Sequence, residues 1–218
     1  MTLHTSTLIL NQSRPLRPPT APTERKALSL LGRNRLLRAG ALESRGIPRA
    51  ALARLQAAGR IVRIARGVYA RAGAPPGTHR DLAVAAARVP AGVVCLLSAL
   101  RFHGIGTQDP FEVWLALGRG ATVPRLPEVP LRILRFAPPL LVEGVQVHVI
   151  EGVSVRISTP ARTVVDAFKF RGKVGIDVAV EALREGWNDR RFTAEELRTH
   201  AVACRMERVM RPYLESIL

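Results

Sequence analysis

Arg49, Arg54 and Gln56 stand close together in RAALARLQ, spaced by alanines and by Leu52 and Leu55. On a helix Leu52 and Leu55 share one face. The opposite face carries Arg49, Ala50, Ala53, Arg54, Gln56 and Ala57. A guanidinium can hold guanine O6 and N7 with two hydrogen bonds, and a Gln amide can do the same for adenine. The small alanines between them let a helix approach a groove closely. Arg49, Arg54 and Gln56 are therefore expected to reach base edges. Arg60, Arg63 and Arg66 follow at three-residue spacing in GRIVRIARGVYA. On the edges and tip of a hairpin they suit phosphate contact, which positions a module without specifying sequence. Arg38 and Arg45, with Arg33 and Arg35, add to the same positive field.

These side chains need a particular set of elements behind them. Thr23 is read as a helix cap with Lys26–Arg38 helical behind it, and Ala39–Arg45 as a second helix. Gly46-Ile47-Pro48 is a tight turn: Gly permits positive φ and Pro suits a first helical position. Pro48–Ala58 is the third helix, closed by Gly59. Arg60–Ile64 and Val68–Ala70 read as strands joined at Ala65-Arg66-Gly67, with Ile61, Ile64 and Val68 packing inward. Helix, helix, turn, helix and hairpin is the order of a winged helix-turn-helix.

The charge distribution agrees. The 218-residue chain has a formal net charge of +16. Residues 1–80 hold 15 Lys/Arg against two acids, Glu24 and Glu43, or +13; residues 81–218 hold 18 against 15, or +3. Codon bias in a GC-rich genome accounts for arginine over lysine, but not for missing acids. Such asymmetry points to a polyanion-binding half and a near-neutral half. An arginine-rich face can also be merely solvated, and a three-helix unit can dock a protein; element order, turn, wing and charge together favour double-stranded DNA. RNA-recognition aromatics, a KH loop and OB-type stacking platforms are not evident. Two leucines opposite an arginine face make too weak an apolar stripe for a lipid surface.

The sequence has no apolar run near the ~20 residues that cross a bilayer. MTLHTSTLILNQ lacks the basic n-region and cleavage site of a signal peptide, so a cytoplasmic location is expected. Cys95 and Cys204 read as free thiols. His4, His79, His103, His148 and His200 show no ligand spacing, and no P-loop is present, so no metal, no cofactor and no enzymatic activity are expected. Ser98 and His103 are five apart, a poor nucleophile–base geometry. Arg162 and Asp166, four apart, can pair on one helix face behind a cap at Ser158 or Thr159. The favoured reading is an exposed ion pair at a capped helix start; the sharper alternative is a buried contact tying that helix to the sheet, or a partner surface.

Four segments result: a basic, proline-rich disordered arm (1–22), a winged helix-turn-helix (23–71), a Gly/Pro-rich linker (72–79) and a second domain (80–218). The last is expected to hold a helix at Arg80–Arg88, a strand at Val93–Cys95 and a helix near Ser98–His103. Further strands are expected at Phe111–Leu117, Arg132–Phe136, Val145–Ile150 and Val153–Ile157, the last two a hairpin turned at Glu151-Gly152. Helices follow at Pro160–Phe170, Gly175–Trp187, Thr193–Cys204 and Glu207–Ile217. The fold class is α+β: a winged helix followed by a mixed domain with a small sheet and C-terminal helices.

Three segments together resemble the AbiEi-type antitoxins of type IV toxin–antitoxin systems. GIPRAALARLQAAGRIVRIARGVYA is similar to that family's winged helix, with its Gly-Arg-x-x-Arg-x-x-x-Gly-x-Tyr wing. LLSALRFHGI (Leu96–Ile105) and STPARTVVDAF (from Ser158) resemble its two C-terminal signatures. The arm 1–22 has no counterpart there. The resemblance implies a protein encoded beside a nucleotidyltransferase-like toxin, which represses its own promoter by binding inverted repeats. It implies that the C-terminal domain counters the toxin without a required stable complex, in phage defence by abortive infection. It places DNA contacts at Arg49, Arg54, Arg60, Arg63 and Arg66, and marks the antitoxin domain at Ser98, His103, Arg162, Thr163 and Asp166. A stand-alone winged-helix regulator without a toxin is the alternative, and a nucleic-acid enzyme with a basic arm the third reading.

Overall fold

Residues 21–217 are described by the computed structural model; the expected arm lies, up to Thr20, outside them. The first helix, α1 (Pro22–Asn34), starts and ends earlier than its sequence suggests. Ala21 rather than Thr23 is its N-cap, and Pro22 occupies the first turn, where a missing N–H costs nothing. Arg35 takes a φ of 48°, which ends the helix, and Leu36–Arg38 form a strand, β1, instead of a last helical turn. The helices α2 (Ala39–Glu43) and α3 (Arg49–Ala57) follow, with Pro48 one residue ahead of α3 as its N-cap. Gly46 between them sits at φ 79° with nothing within 4 Å of where a Cβ would stand, so backbone conformation alone calls for glycine.

The hairpin β2 (Ile61–Ala65) and β3 (Val68–Arg71) completes the wing, and the sheet order is β1-β3-β2, all antiparallel. A bulge between Arg63 and Ala65 breaks the side-chain alternation. Ala65 is therefore buried with Val68 against α4, while Ile61 is buried on the α1 and α3 side and Ile64, expected inside, is only half-buried. Leu52 and Leu55 pack as expected, in a cluster with Leu28, Leu31, Leu42 and Ile47.

Beyond the segment 72–79 come α4 (Arg80–Arg88), β4 (Val93–Val94), α5 (Leu96–His103), β5 (Val113–Gly118) and β6 (Leu131–Phe136). A 3₁₀ turn (Pro138–Leu141) leads to β7 (Val145–Ile150), β8 (Val153–Ser158) and α6 (Pro160–Lys169). The chain ends in α7 (Arg171–Val174), α8 (Ile176–Asn188), α9 (Ala194–Cys204) and α10 (Glu207–Glu215). Strand order in the second sheet is β6-β5-β4-β8-β7, with β5/β6 and β4/β8 parallel and the rest antiparallel. The class is α+β, as read from the sequence. Among the described residues no helix is long and apolar enough to cross a membrane.

Adjacent residues of this sheet point to opposite layers. Val93, Trp114, Ala116 and Phe136 pack under α6, α8 and α9. Val94, Leu115, Val155 and Ile157 pack against α4 on the other side. The same cluster takes in Leu36, Ala65, Val68 and Ala70 of the winged-helix sheet. Thus α4 lies between the two sheets and is buried at every residue from Leu82 to Ala87. Four alanines there let two sheets approach one helix, which explains its composition.

Candidate nucleic-acid interface

The exposed face of α3 and the wing enclose a polar cleft of about 660 Å³. Arg49 and Gln56 line it from α3, Arg63 and Arg66 from the wing, and Arg38 from the end of β1. Ala53 forms its floor on the α3 side, a small side chain where close approach is needed. Arg88 of α4 enters from beyond the segment 72–79 and donates from Nη1 to the Arg66 carbonyl at 3.1 Å. No sequence signal marked Arg88: it ends an alanine-rich helix 22 residues from its partner.

Both acids of the first 80 residues are used on α3. Glu43 pairs with Arg49 across the helix-turn-helix turn, and Glu24 of α1 holds Arg54 Nε at 2.8 Å. The Glu43 carboxylate raises the Arg49 guanidinium above its usual value, so Arg49 stays charged. Arg54 points to α1 and does not line the cleft. Arg45 bonds the Ala41 carbonyl through Nη1 at 2.7 Å, and Arg60 lies half-buried ahead of β2; neither lines the cleft. The structure therefore brings together Arg38, Arg49, Gln56, Arg63 and Arg66, and leaves Arg45, Arg54 and Arg60 around them.

Residues 25–72, which contain all of these except Glu24 and Arg88, match the family model described as "Transcriptional regulator, AbiEi antitoxin". The AbiEi resemblance is shown for this segment. That family is one of antitoxin-type transcriptional regulators, not of enzymes, and residues 25–72 are similar to it. No curated protein matches the chain. Among solved structures it is similar to that of the RV2827C protein from Mycobacterium tuberculosis. The TM-score is 0.52 at 17% identity, over 85% of this chain and 72% of that one. At that identity the likeness concerns the fold alone.

C-terminal to residue 72, the residues singled out from sequence stitch the fold together. The Arg162–Asp166 pair is not exposed: the two side chains are 2% and 1% accessible, with Nε donating to Oδ2 at 2.9 Å. The expected exposed pair is thus a buried one. Arg162 also donates to the Glu143 carbonyl at 2.9 Å and to the Leu140 carbonyl at 3.4 Å, and lies over the Phe136 ring. It ties α6 to the segment leading into β7. Gly144 sits at φ 62°, which favours glycine, and a Cβ there would also press on the His200 ring at 2.6 Å. Thr159 caps α6, and the Thr163 hydroxyl donates to the Thr159 carbonyl at 2.8 Å and touches the Ser158 hydroxyl at 2.7 Å. Ser98 accepts from the Trp114 N–H at 3.0 Å, and His103 donates from Nε2 to the Ser158 carbonyl at 2.7 Å. Cys95 and Cys204 are free and buried, and the Cys204 thiol donates to Asp166 at 3.8 Å. Ser98 and His103 are each committed to a different carbonyl or amide, not to each other.

Three histidines that are far apart in sequence gather on Phe102: His79, His103 and His148, with ring centroids 5.1, 5.2 and 4.8 Å from it. Among the described residues no group of three or more His, Cys, Asp or Glu side chains is placed to share a metal. Burial pushes His79, His103 and His200 below the ordinary histidine range; the bond to Ser158 opposes this at His103. The unfolded chain then takes up protons near the usual pH of about 6.5 before the folded one does. Stability contributed by the neutral rings is present above that pH and lost as pH falls through it. The urea midpoint is expected to be lower at pH 6 than at pH 7.5; an equal or higher midpoint at pH 6 contradicts this.

Proposed function

We propose that the chain is an autorepressing antitoxin of a type IV toxin–antitoxin system. It binds double-stranded DNA at inverted repeats in its own promoter and counters a nucleotidyltransferase-like toxin through residues 80–218, without a required stable complex, in cytoplasmic phage defence. The observation that carries this reading is the convergence of four arginines and Gln56 between α3 and the wing of the AbiEi module. Arg49 and Gln56 supply base-edge chemistry, because they stand on the helix face that would enter a major groove. Arg38, Arg63 and Arg66 supply phosphate contacts, and Arg45 and Arg60 strengthen the surrounding field. Ser98, His103, Arg162, Thr163 and Asp166 hold the frame of the toxin-opposing part rather than acting on a substrate. No cofactor, metal or catalytic residue is invoked.

The family match ends at residue 72, and a stand-alone regulator would share that segment equally. Two measurements separate these readings. The full chain should bind the duplex upstream of its own reading frame at least tenfold more tightly than one with scrambled half-sites; equal affinity rules out promoter recognition. Co-expression with an adjacent nucleotidyltransferase-like gene should restore growth. Promoter binding without rescue leaves a regulator and removes the antitoxin.

A further inference from the structure

The strongest unassigned group on the molecule is Arg88. It stands at the end of α4, the helix that both sheets share, and outside the segment that matches the AbiEi family. Its Nη1 donates to the Arg66 carbonyl at the wing tip, at 3.1 Å. Its Nε is buried without a hydrogen-bond partner among the described residues. Among the described residues no acid is paired with it, whereas Arg49 and Arg54 each hold one. A half-buried guanidinium with unused donors, in a cleft with Arg38, Arg49, Arg63 and Arg66, is a site for an oxyanion.

We infer that Arg88 is a phosphate contact of the DNA interface, so that α4 belongs to that interface as well as the winged helix. This rests on the proposed reading of the cleft as a duplex-binding surface. The spatial argument is the wing tip. A hairpin that follows a DNA backbone brings its turn to the phosphates, and the Arg66 carbonyl of that turn is where Arg88 is anchored. The anchor holds Nη1 and Nε is shut off from solvent, which leaves Nη2 to reach a phosphate oxygen. The packing argument is the shared cluster: Leu36, Ala65, Val68 and Ala70 rest on α4, so the wing takes its position from the second half of the chain. DNA binding and the C-terminal part are thereby joined through one helix.

The test uses the full chain, a 24-base-pair duplex of random sequence, and NaCl from 0.05 to 1 M. Each phosphate contact contributes about −0.9 to the slope of log K against log salt. Arg88→Gln should flatten that slope by about 0.9 and weaken binding about eightfold at 0.1 M NaCl, with curves converging near 1 M. Arg88→Lys should keep most of the slope. Arg184→Gln, on the exposed side of α8, should change it by much less. An Arg88→Gln slope equal to that of the unaltered chain overturns the inference. If the unaltered chain does not bind the duplex at all, the reading of the cleft fails instead. Should Arg88→Gln not fold, hydrogen exchange on the unaltered chain decides: added protection of amides 85–89 on adding duplex supports the contact, and none refutes it.

Discussion

Replacing Arg162 with alanine is expected to cost the fold about 3–5 kcal/mol, the usual loss when one member of a buried ion pair is removed. Asp166 is fully buried, and with the guanidinium gone its carboxylate keeps only the Cys204 thiol. The carbonyls of Glu143 and Leu140 lose their donor at the same time. Against a domain stability of roughly 5–15 kcal/mol this is a large share. With a urea slope of about 2 kcal/mol/M the midpoint should fall by about 2 M. A pH signature separates this from a simple cavity. Burial pushes the Asp166 carboxyl above its ordinary value even with Arg162 beside it, and Arg162 is the main opposing influence. Without Arg162 the folded chain favours the protonated acid more strongly. Stability tied to that proton is present below the unfolded value and lost as pH rises, so the deficit of Arg162→Ala should shrink on acidification. The double variant Arg162→Ala/Asp166→Ala should cost less than the sum of its parts. Glu195→Ala, which breaks the exposed pair with Arg198, should change little. An Arg162→Ala midpoint no lower than that of Glu195→Ala would sink the structural role assigned here.

That pair also shows where sequence legibility ends. The i,i+4 spacing of Arg162 and Asp166 was readable, and so was the cap and Pro160 ahead of them. Their burial was not, because it is imposed by residues 136–144 and by α9, which arrive from 20 residues before and nearly 40 after. The short strand β1 was unreadable for a similar reason. Leu36–Arg38 continues a helical pattern locally, and becomes a strand only by pairing with Val68–Ala70. Elements with their own punctuation were legible: Arg80–Arg88 and Val145–Ile150 lie where expected, and the Glu151-Gly152 turn joins β7 to β8. In the cleft, residue types and helix face were readable from three- and four-residue spacing. The partners of those residues were not: Glu24 is 30 residues from Arg54, and Arg88 is 22 from Arg66.

The contrast between Arg49 and Arg54 follows from those partners and carries the second large effect. Both arginines share the outward face of α3 in sequence, but only Arg49 lines the cleft. Arg49→Ala is expected to weaken binding to the cognate duplex roughly 5- to 100-fold, the usual range for losing a bidentate base contact, and to relax base preference at one position. Arg54→Ala removes a guanidinium held by Glu24 against α1, so its affinity should stay within about twofold while the urea midpoint falls slightly. Glu43 adds a sign to the test. Its carboxylate neutralises Arg49 in the free chain and must release it for a guanine edge. Glu43→Gln should therefore bind the duplex more tightly and show a steeper salt dependence, because one more arginine reaches the DNA uncompensated. Titration of the three full-length variants by fluorescence anisotropy checks all of this at once. A greater loss for Arg54→Ala than for Arg49→Ala would move base reading to the α1 side of α3. No gain for Glu43→Gln would mean that Arg49 stays with its carboxylate on DNA and is oriented by it.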